Sequence, residues 1–155
     1  MPHTISLRDV EQQDLLTFFA HQQDPEATRM AAFPTRDHDA FMAHWLTILN
    51  EDAVGVRTIL FGTDIAGHIV SWQQAGARKV GYWLGRDYWG RGIASAALAR
   101  FLAIITTRPL LAHVAKHNLA SLRVLQKSGF EISGEDTVLA PTGEQVEEYT
   151  LTLEA

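Results

Sequence analysis

Two stretches of the chain combine residue types at spacings that suit chemistry. The first is Val80-Gly81-Tyr82-Trp83-Leu84-Gly85-Arg86-Asp87-Tyr88-Trp89-Gly90-Arg91-Gly92-Ile93-Ala94. A strand-like run ends, glycines follow, and a helical run begins. About four backbone N–H groups at a helix N-terminus have no partner within the helix. They carry roughly half a positive charge and can hold an anion where the backbone can approach it closely. Gly90, Gly92 and Ala94 are small enough to allow that approach, and Arg91 adds a donor that could reach a phosphate oxygen.

Several readings of this loop compete. A dinucleotide site needs a third glycine and an acidic residue about 20 positions on for the ribose. The chain has no acid between Tyr88 and Glu131, which argues against that reading. A nucleoside-triphosphate loop needs Gly-Lys-Ser or Gly-Lys-Thr, which does not occur here. A site for another phosphorylated cofactor stays open. So does a plain tight turn from strand to helix.

The second stretch is Asn118-Leu119-Ala120-Ser121-Leu122-Arg123-Val124-Leu125-Gln126-Lys127-Ser128-Gly129-Phe130. Asn118 suits a helix N-cap, and Gly129 suits the position after the helix end. Ser121 carries a hydroxyl that both donates and accepts, though a Ser in a first helical turn also bonds to its own backbone.

These stretches need elements to position them. The pattern predicts strands at 4–7, 54–61, 67–74 and 80–84, with helices at 11–21 and 37–50 before and between them. Asp24-Pro25 reads as a break, and Gly62-Thr63-Asp64 as a turn. A helix from Gly92 to about Thr107 ends before Pro109. A strand at 110–115, the helix from Asn118 to Ser128, and strands at 130–133 and 146–153 complete the chain, with a loop at Pro141-Thr142-Gly143. A strand–helix–strand crossover demands a parallel pair, so the class is α/β with a mixed sheet: an antiparallel meander followed by parallel strands.

The length of 155 residues suits one domain, residues 1–155. There is no cysteine, which excludes disulfides, a cysteine nucleophile and thiolate metal sites. No His-x-x-x-His pair with a carboxylate lies at metal-site spacing on one helix, so no metal is expected. No apolar run approaches the roughly 18 residues of a membrane span, and the first residues do not read as a signal peptide. A cytoplasmic protein with no membrane partner is the expectation.

The net charge of −5 argues against a general nucleic-acid binder. Yet residues 88–130 hold six basic residues and no acid, which leaves −11 on the remainder. A cationic segment in an acidic chain suits a local anionic ligand, and equally suits solvated helix faces.

Trp89-Gly90-Arg91-Gly92-Ile93-Ala94 resembles the Gln/Arg-x-x-Gly-x-Gly/Ala signature of the GNAT acetyltransferases. Gly92 and Ala94 match its small positions. Trp89 stands where Gln or Arg is usual, and with Gly81-Tyr82-Trp83-Leu84 it is similar to the branch of the ribosomal-protein N-terminal acetyltransferases. The Asn118 to Phe130 segment resembles that branch's later motif, Asn-x-x-Ser opening a short helix that ends Lys-x-Gly-Phe. The two motifs lie about 25 residues apart and cover roughly residues 80 to 130.

The resemblance implies a GNAT-like sheet that splays between the Val80 and Leu110 strands. It implies acetyl-CoA as acetyl donor, with a cofactor site at Trp83, Leu84, Trp89, Gly90, Arg91, Gly92, Ile93, Ala94 and Asn118. The implied activity is N-acetyl transfer to a primary amine, on a small molecule or a protein N-terminus, by direct attack in a ternary complex. That chemistry needs a neutral amine, a stabilised oxyanion and a protonated leaving thiolate. A backbone N–H between Val80 and Trp83 would meet the oxyanion. Relatives that protonate the thiolate with a tyrosine have it where this chain has Leu125. Ser121 is then the candidate replacement, with Asn118 beside it.

Where related sequences carry a Glu before the Gly-Tyr-Trp segment, this chain has Lys79 next to Arg78. His68 and His113 have near-neutral reference pKa values, but the sequence names no base. The acceptor site implied by the resemblance spans about Gln22 to Asp39. Its Asp24, Glu26, Asp37 and Asp39 suit a cationic amine or simply a solvated loop. Pairing of protomers through the last strands is common in the family and would make a homodimer. A rival expectation is a coenzyme A-binding sensor or interaction module that has lost its chemistry.

Overall fold

A computed structural model describes residues 4–32, 36–51, 54–139 and 143–154. The elements run β1 Ile5–Arg8, α1 Asp14–Gln22, α2 Pro25–Ala31, α3 His38–Leu49, β2 Gly55–Phe61, β3 Asp64–Gln74 and β4 Ala77–Leu84. They continue with α4 Ile93–Ile104, β5 Leu110–Ala115, α5 Leu119–Lys127, β6 Glu131–Leu139 and β7 Gln145–Leu153. The seven strands form one sheet in the order β1-β2-β3-β4-β5-β7-β6. Among the described residues only β4 and β5 pair in parallel, joined through α4. The mixed α/β class and the meander therefore stand as expected.

The sheet is covered on both faces, as strand alternation allows. On one face Ile59, Ile69 and Val80 pack with Leu98 and Phe101 of α4 and Leu125 of α5. On the other, Leu15 and Phe18 of α1 meet Phe41 and Trp45 of α3. One buried polar knot ties α1 to the sheet. The Asp14 carboxylate is fully buried and accepts from Arg8 at 2.6 and 2.9 Å, from Thr58 Oγ1 at 2.8 Å and from the Glu11 N–H at 2.9 Å. Its pKa falls below the usual carboxylate range: burial alone pushes it up, but these hydrogen bonds and the Arg8 charge outweigh burial.

Several expected boundaries shift. Asp24-Pro25 starts a helix rather than only breaking one. Asp24 caps α2 by accepting from the Glu26 N–H at 3.1 Å, and Pro25 fills the first helical position, where its missing N–H costs nothing. The 11–21 helix begins at Asp14, because residues 11–13 form the turn that Asp14 closes. The 92–107 helix spans Ile93–Ile104. The strand expected at 130–133 runs to Leu139 as the outer arm of a long hairpin. Pro141 and Thr142 of the expected loop lie outside the described residues, as do residues 33–35 of the expected acceptor segment.

Candidate active site

The site begins where two strands part. β4 and β5 pair only at Arg78 with Leu110 and Lys79 with Leu111. β4 continues to Leu84 and β5 to Ala115 without pairing again. Beyond Lys79, the two strands diverge. On its other edge β4 stays zipped to β3 as far as Leu84 opposite Gly67. Gly67 is required there, since a Cβ would lie 2.0 Å from the Trp83 carbonyl oxygen.

The chain then folds a compact loop. The Gly85 N–H donates to the Ala66 carbonyl at 2.8 Å, and a single 3-10 turn follows at Arg86–Tyr88. The Trp89 indole N–H donates back to the Leu84 carbonyl at 3.1 Å. Gly90 and Gly92 take left-handed conformations, with φ of +71° and +76°. Gly92 is the N-cap of α4. No side chain caps that helix and no acid lies in its first turn. A Cβ on either glycine would meet nothing within 4 Å. Small residues, an open approach and unsatisfied N–H groups thus converge on one spot, which fits the phosphates of a cofactor.

A cleft of about 370 Å³ opens along this edge. Of the expected cofactor residues, Trp83, Leu84, Trp89, Gly90, Gly92, Ile93, Ala94 and Asn118 line it. Arg91 does not. Its guanidinium sits over the Phe61 ring, 5.7 Å from the centroid, and braces the loop against β2. Arg123, on the first turns of α5, lines the cleft instead. Ala27, Met30 and Ala31 of α2 form the opposite wall. Sequence reading missed that wall because it read Asp24-Pro25 as a break.

Asn118 caps α5, its side-chain oxygen accepting from the Ser121 N–H at 3.3 Å. This fixes Ser121 on the cleft wall. The Tyr82 hydroxyl, from β4, donates to Ser121 Oγ at 3.0 Å. Burial raises the Tyr82 pKa, and the bond to Ser121 offsets only part of that, so the phenol keeps its proton. Leu125 is buried in the core and carries no polar group. A tyrosine hydroxyl reaches Ser121 from β4 instead, a residue the sequence signalled only as part of the Gly-Tyr-Trp segment.

A second cavity of about 120 Å³ fills the gap between β4 and β5. Ser121, Tyr82, Asn118 and His113 all line it. The histidines divide clearly. His68 is sealed between Phe18 and Trp45, with ring centroids 4.9 and 4.8 Å away, and burial pushes its pKa down to about 3. It lines neither cavity. His113 remains partly exposed at the gap.

The acids of the expected acceptor segment have structural work. Asp24 caps α2 and lies 3.5 Å from Arg86. Glu26 pairs with Arg29. Asp37 caps α3 by accepting from the Ala40 N–H at 2.8 Å, and Asp39 lies 3.2 Å from the His38 ring. Among the described residues, no group of three His, Asp or Glu side chains is placed to hold a metal ion. No helix among them is long and apolar enough to cross a membrane.

Comparison with known proteins agrees with this geometry. The sequence model of the acetyltransferase (GNAT) domain matches residues 4–131. No curated protein matches at the level of sequence. Similar solved structures include an N-acetyltransferase from Staphylococcus aureus Mu50, at 18% identity and TM-score 0.83, covering 97% of this chain and 98% of that one. A GNAT-family acetyltransferase from Bacillus anthracis is 16% identical with TM-score 0.81, covering 99% and 96%. A protein from Salmonella typhimurium, described as an acetyltransferase and solved with its cofactor acetyl-CoA, is 15% identical with TM-score 0.78, covering 97% and 93%. These likenesses show the fold, and the sequence model shows the family. Acetyltransferases of that family draw their acetyl group from acetyl-CoA. With its sheet splayed between β4 and β5 and its glycine loop opening α4, the chain belongs to the GNAT acetyltransferases.

Proposed function

We propose that the 155 residues form one acetyltransferase domain that moves an acetyl group from acetyl-CoA to a primary amine, by direct attack in a ternary complex. The acceptor amine belongs to a small molecule or a protein N-terminus. The observation that carries this reading is the Tyr82–Ser121 hydroxyl pair standing in the gap where β4 leaves β5, at the end of a cleft that starts on the α4 N-terminus.

Acetyl-CoA supplies a thioester whose carbonyl carbon is open to an unprotonated amine. The α4 N-terminus, with Gly90, Gly92, Ile93 and Ala94, would hold its pyrophosphate through backbone N–H groups, and Arg123 would add a cation at the cleft wall. Trp83, Leu84 and Trp89 would wall the arm, and Asn118, which caps α5, would face it. Arg91 acts by bracing the loop through Phe61. The β4 N–H groups near Gly81, past the last pairing with β5, would stabilise negative charge on the acyl oxygen. Ser121 holds a proton at Oγ for the departing sulfur, and Tyr82 replenishes it through their shared hydrogen bond.

The rival reading, a cofactor-binding module without chemistry, leans on the missing tyrosine at Leu125 and on Lys79 standing where relatives carry a Glu. The Tyr82–Ser121 hydroxyl pair supports the transferase against the first of these. The test is thiol release from acetyl-CoA in the presence of glycinamide, agmatine and 2-phenylethylamine as acceptors. Amine-dependent thiol release supports transfer. Binding of acetyl-CoA with no release across a wide amine panel would support the module instead.

A further inference from the structure

We propose that His113 is the general base that takes the proton of the acceptor amine, oriented by Thr150 and Glu148 on β7. This rests on the transferase reading above and names the base that the sequence left open.

The argument starts from what lines the two cavities. Among the described residues lining them there is no Asp or Glu. Their titratable side chains are Tyr82, Tyr88, Arg123 and His113. The two phenols are shifted upward by burial and arginine stays charged, so only His113 exchanges a proton near neutrality.

Its position suits the task. Continuing the parallel register two residues past Lys79 and Leu111 puts His113 level with Gly81, across the opened gap. Gly81 lies in the stretch whose backbone faces the acyl oxygen in the reading above. Alternation along β5 turns His113 away from the Ala112 and Val114 side, which packs with α4 and α5. His113 therefore stands on the α1–α2 side of the sheet, while the Tyr82–Ser121 pair stands on the other. A base and an acid on opposite sides of one gap match the two proton transfers that aminolysis of a thioester requires.

Its second nitrogen is engaged. His113 Nδ1 lies 3.2 Å from Thr150 Oγ1 and 3.6 Å from Glu148 Oε1. The negative charge of Glu148 near Nδ1 favours the tautomer with hydrogen there, Thr150 Oγ1 accepting it, and leaves Nε2 to take a proton. Burial lowers the His113 pKa, the Lys79 charge lowers it further, and Glu148 pulls it back up. The imidazole is thus neutral at pH 7. These are the charged groups facing it from β4 and β7; Ala31 of α2 and Asn118 and Ser121 of α5 share its cavity.

The step balances. As the amine nitrogen bonds to the acyl carbon, its proton passes to Nε2. As the carbon–sulfur bond breaks, the sulfur leaves with the electron pair and takes the Ser121 proton. His113 then returns its proton to solvent, Ser121 recovers one from Tyr82, and Tyr82 takes one back from solvent.

The test is thiol release with glycinamide, agmatine and 2-phenylethylamine, beside calorimetry with acetyl-CoA. His113→Gln should lower kcat about 100-fold and leave acetyl-CoA affinity unchanged. Glu148→Gln should move the acid limb of kcat/KM to lower pH, and Lys79→Gln should move it to higher pH. A role in folding alone would not produce opposite shifts. Long-range nitrogen–proton NMR should show neutral His113 with its hydrogen on Nδ1. Unchanged turnover in His113→Gln, while the wild type works, would overturn the assignment and spare the transferase reading; so would hydrogen on Nε2. Acetyl-CoA binding without turnover by the wild type would overturn both readings.

Discussion

The Tyr82 hydroxyl reaches across from β4 to α5 and donates to Ser121 Oγ at 3.0 Å. Ser121 is in turn held by Asn118, which caps the same helix. This arrangement, one bond to the Ser121 hydroxyl and one from its backbone N–H, links the strand that leaves the sheet to the helix that closes the cleft. It makes Ser121 an acceptor of one proton and a donor of its own.

Removing the donor should therefore hurt chemistry more than binding. Ser121→Ala is expected to lower kcat about 100-fold, with KM for acetyl-CoA nearly unchanged. Tyr82→Phe should cost about tenfold, because Ser121 can also recover its proton from water. Since burial raises the Tyr82 pKa, any alkaline loss of kcat caused by its ionisation should fall above the ordinary phenol range of about 10. Steady-state thiol release across pH checks all three. A Ser121→Ala enzyme of full activity would remove the proton relay.

The α4 N-terminus makes a binding prediction. Gly92→Val places a branched side chain where the open approach to the helix N–H groups lies, at a φ of +76°. Affinity for acetyl-CoA should fall at least tenfold, about 1.4 kcal/mol. The positive φ adds a folding cost of about 1–2 kcal/mol, so a melting curve should accompany the titration. Unchanged affinity would remove the loop from the cofactor site.

Asp14 makes a stability prediction far from the chemistry. Its folded pKa lies below its unfolded one. The contribution is therefore fully present above the unfolded value of about 4 and is lost as pH falls through the folded value. Asp14→Asn leaves Arg8 and Thr58 poorly matched in a buried site and should cost about 3 kcal/mol. Chemical denaturation at pH 7 and pH 3 should show the variant's deficit shrinking with acid.

His68 predicts a slope at higher pH. Its folded pKa of about 3 lies well below the unfolded reference. Between those values the unfolded chain binds a proton that the folded one refuses. Stability should fall as pH drops below about 6.5, by up to about 1.4 kcal/mol per pH unit. His21 and His44, also shifted down by burial, act in the same direction. His68→Leu should flatten the slope by about one proton while keeping the contact with Phe18 and Trp45. An unchanged slope would mean His68 titrates freely.

How much of this was legible in the sequence differs by element. The glycine loop and the Asn118 helix were, because positive-φ glycines, caps and helix stops act locally. The β4–α4–β5 crossover followed from the order of elements. Helix α2 was not, because Asp24-Pro25 both ends one helix and starts the next, and only packing tells which. The two-residue pairing of β4 with β5 could not be read from either strand alone. Tyr82 and His113 gained meaning only through partners on α5 and β7, 39 and 37 residues away in the chain. Arg91 misled, since a charged side chain beside a phosphate loop was free to stack on Phe61.

The most direct test of the central claim is a calorimetric comparison of acetyl-CoA, coenzyme A, NAD and ATP. The account predicts micromolar binding of the two coenzyme A species and far weaker binding of NAD and ATP, with Gly92→Val weakening the first pair. No binding of either coenzyme A species would contradict it, because the cleft along α4 would then hold no cofactor and the hydroxyl pair at its end would have no thioester to serve.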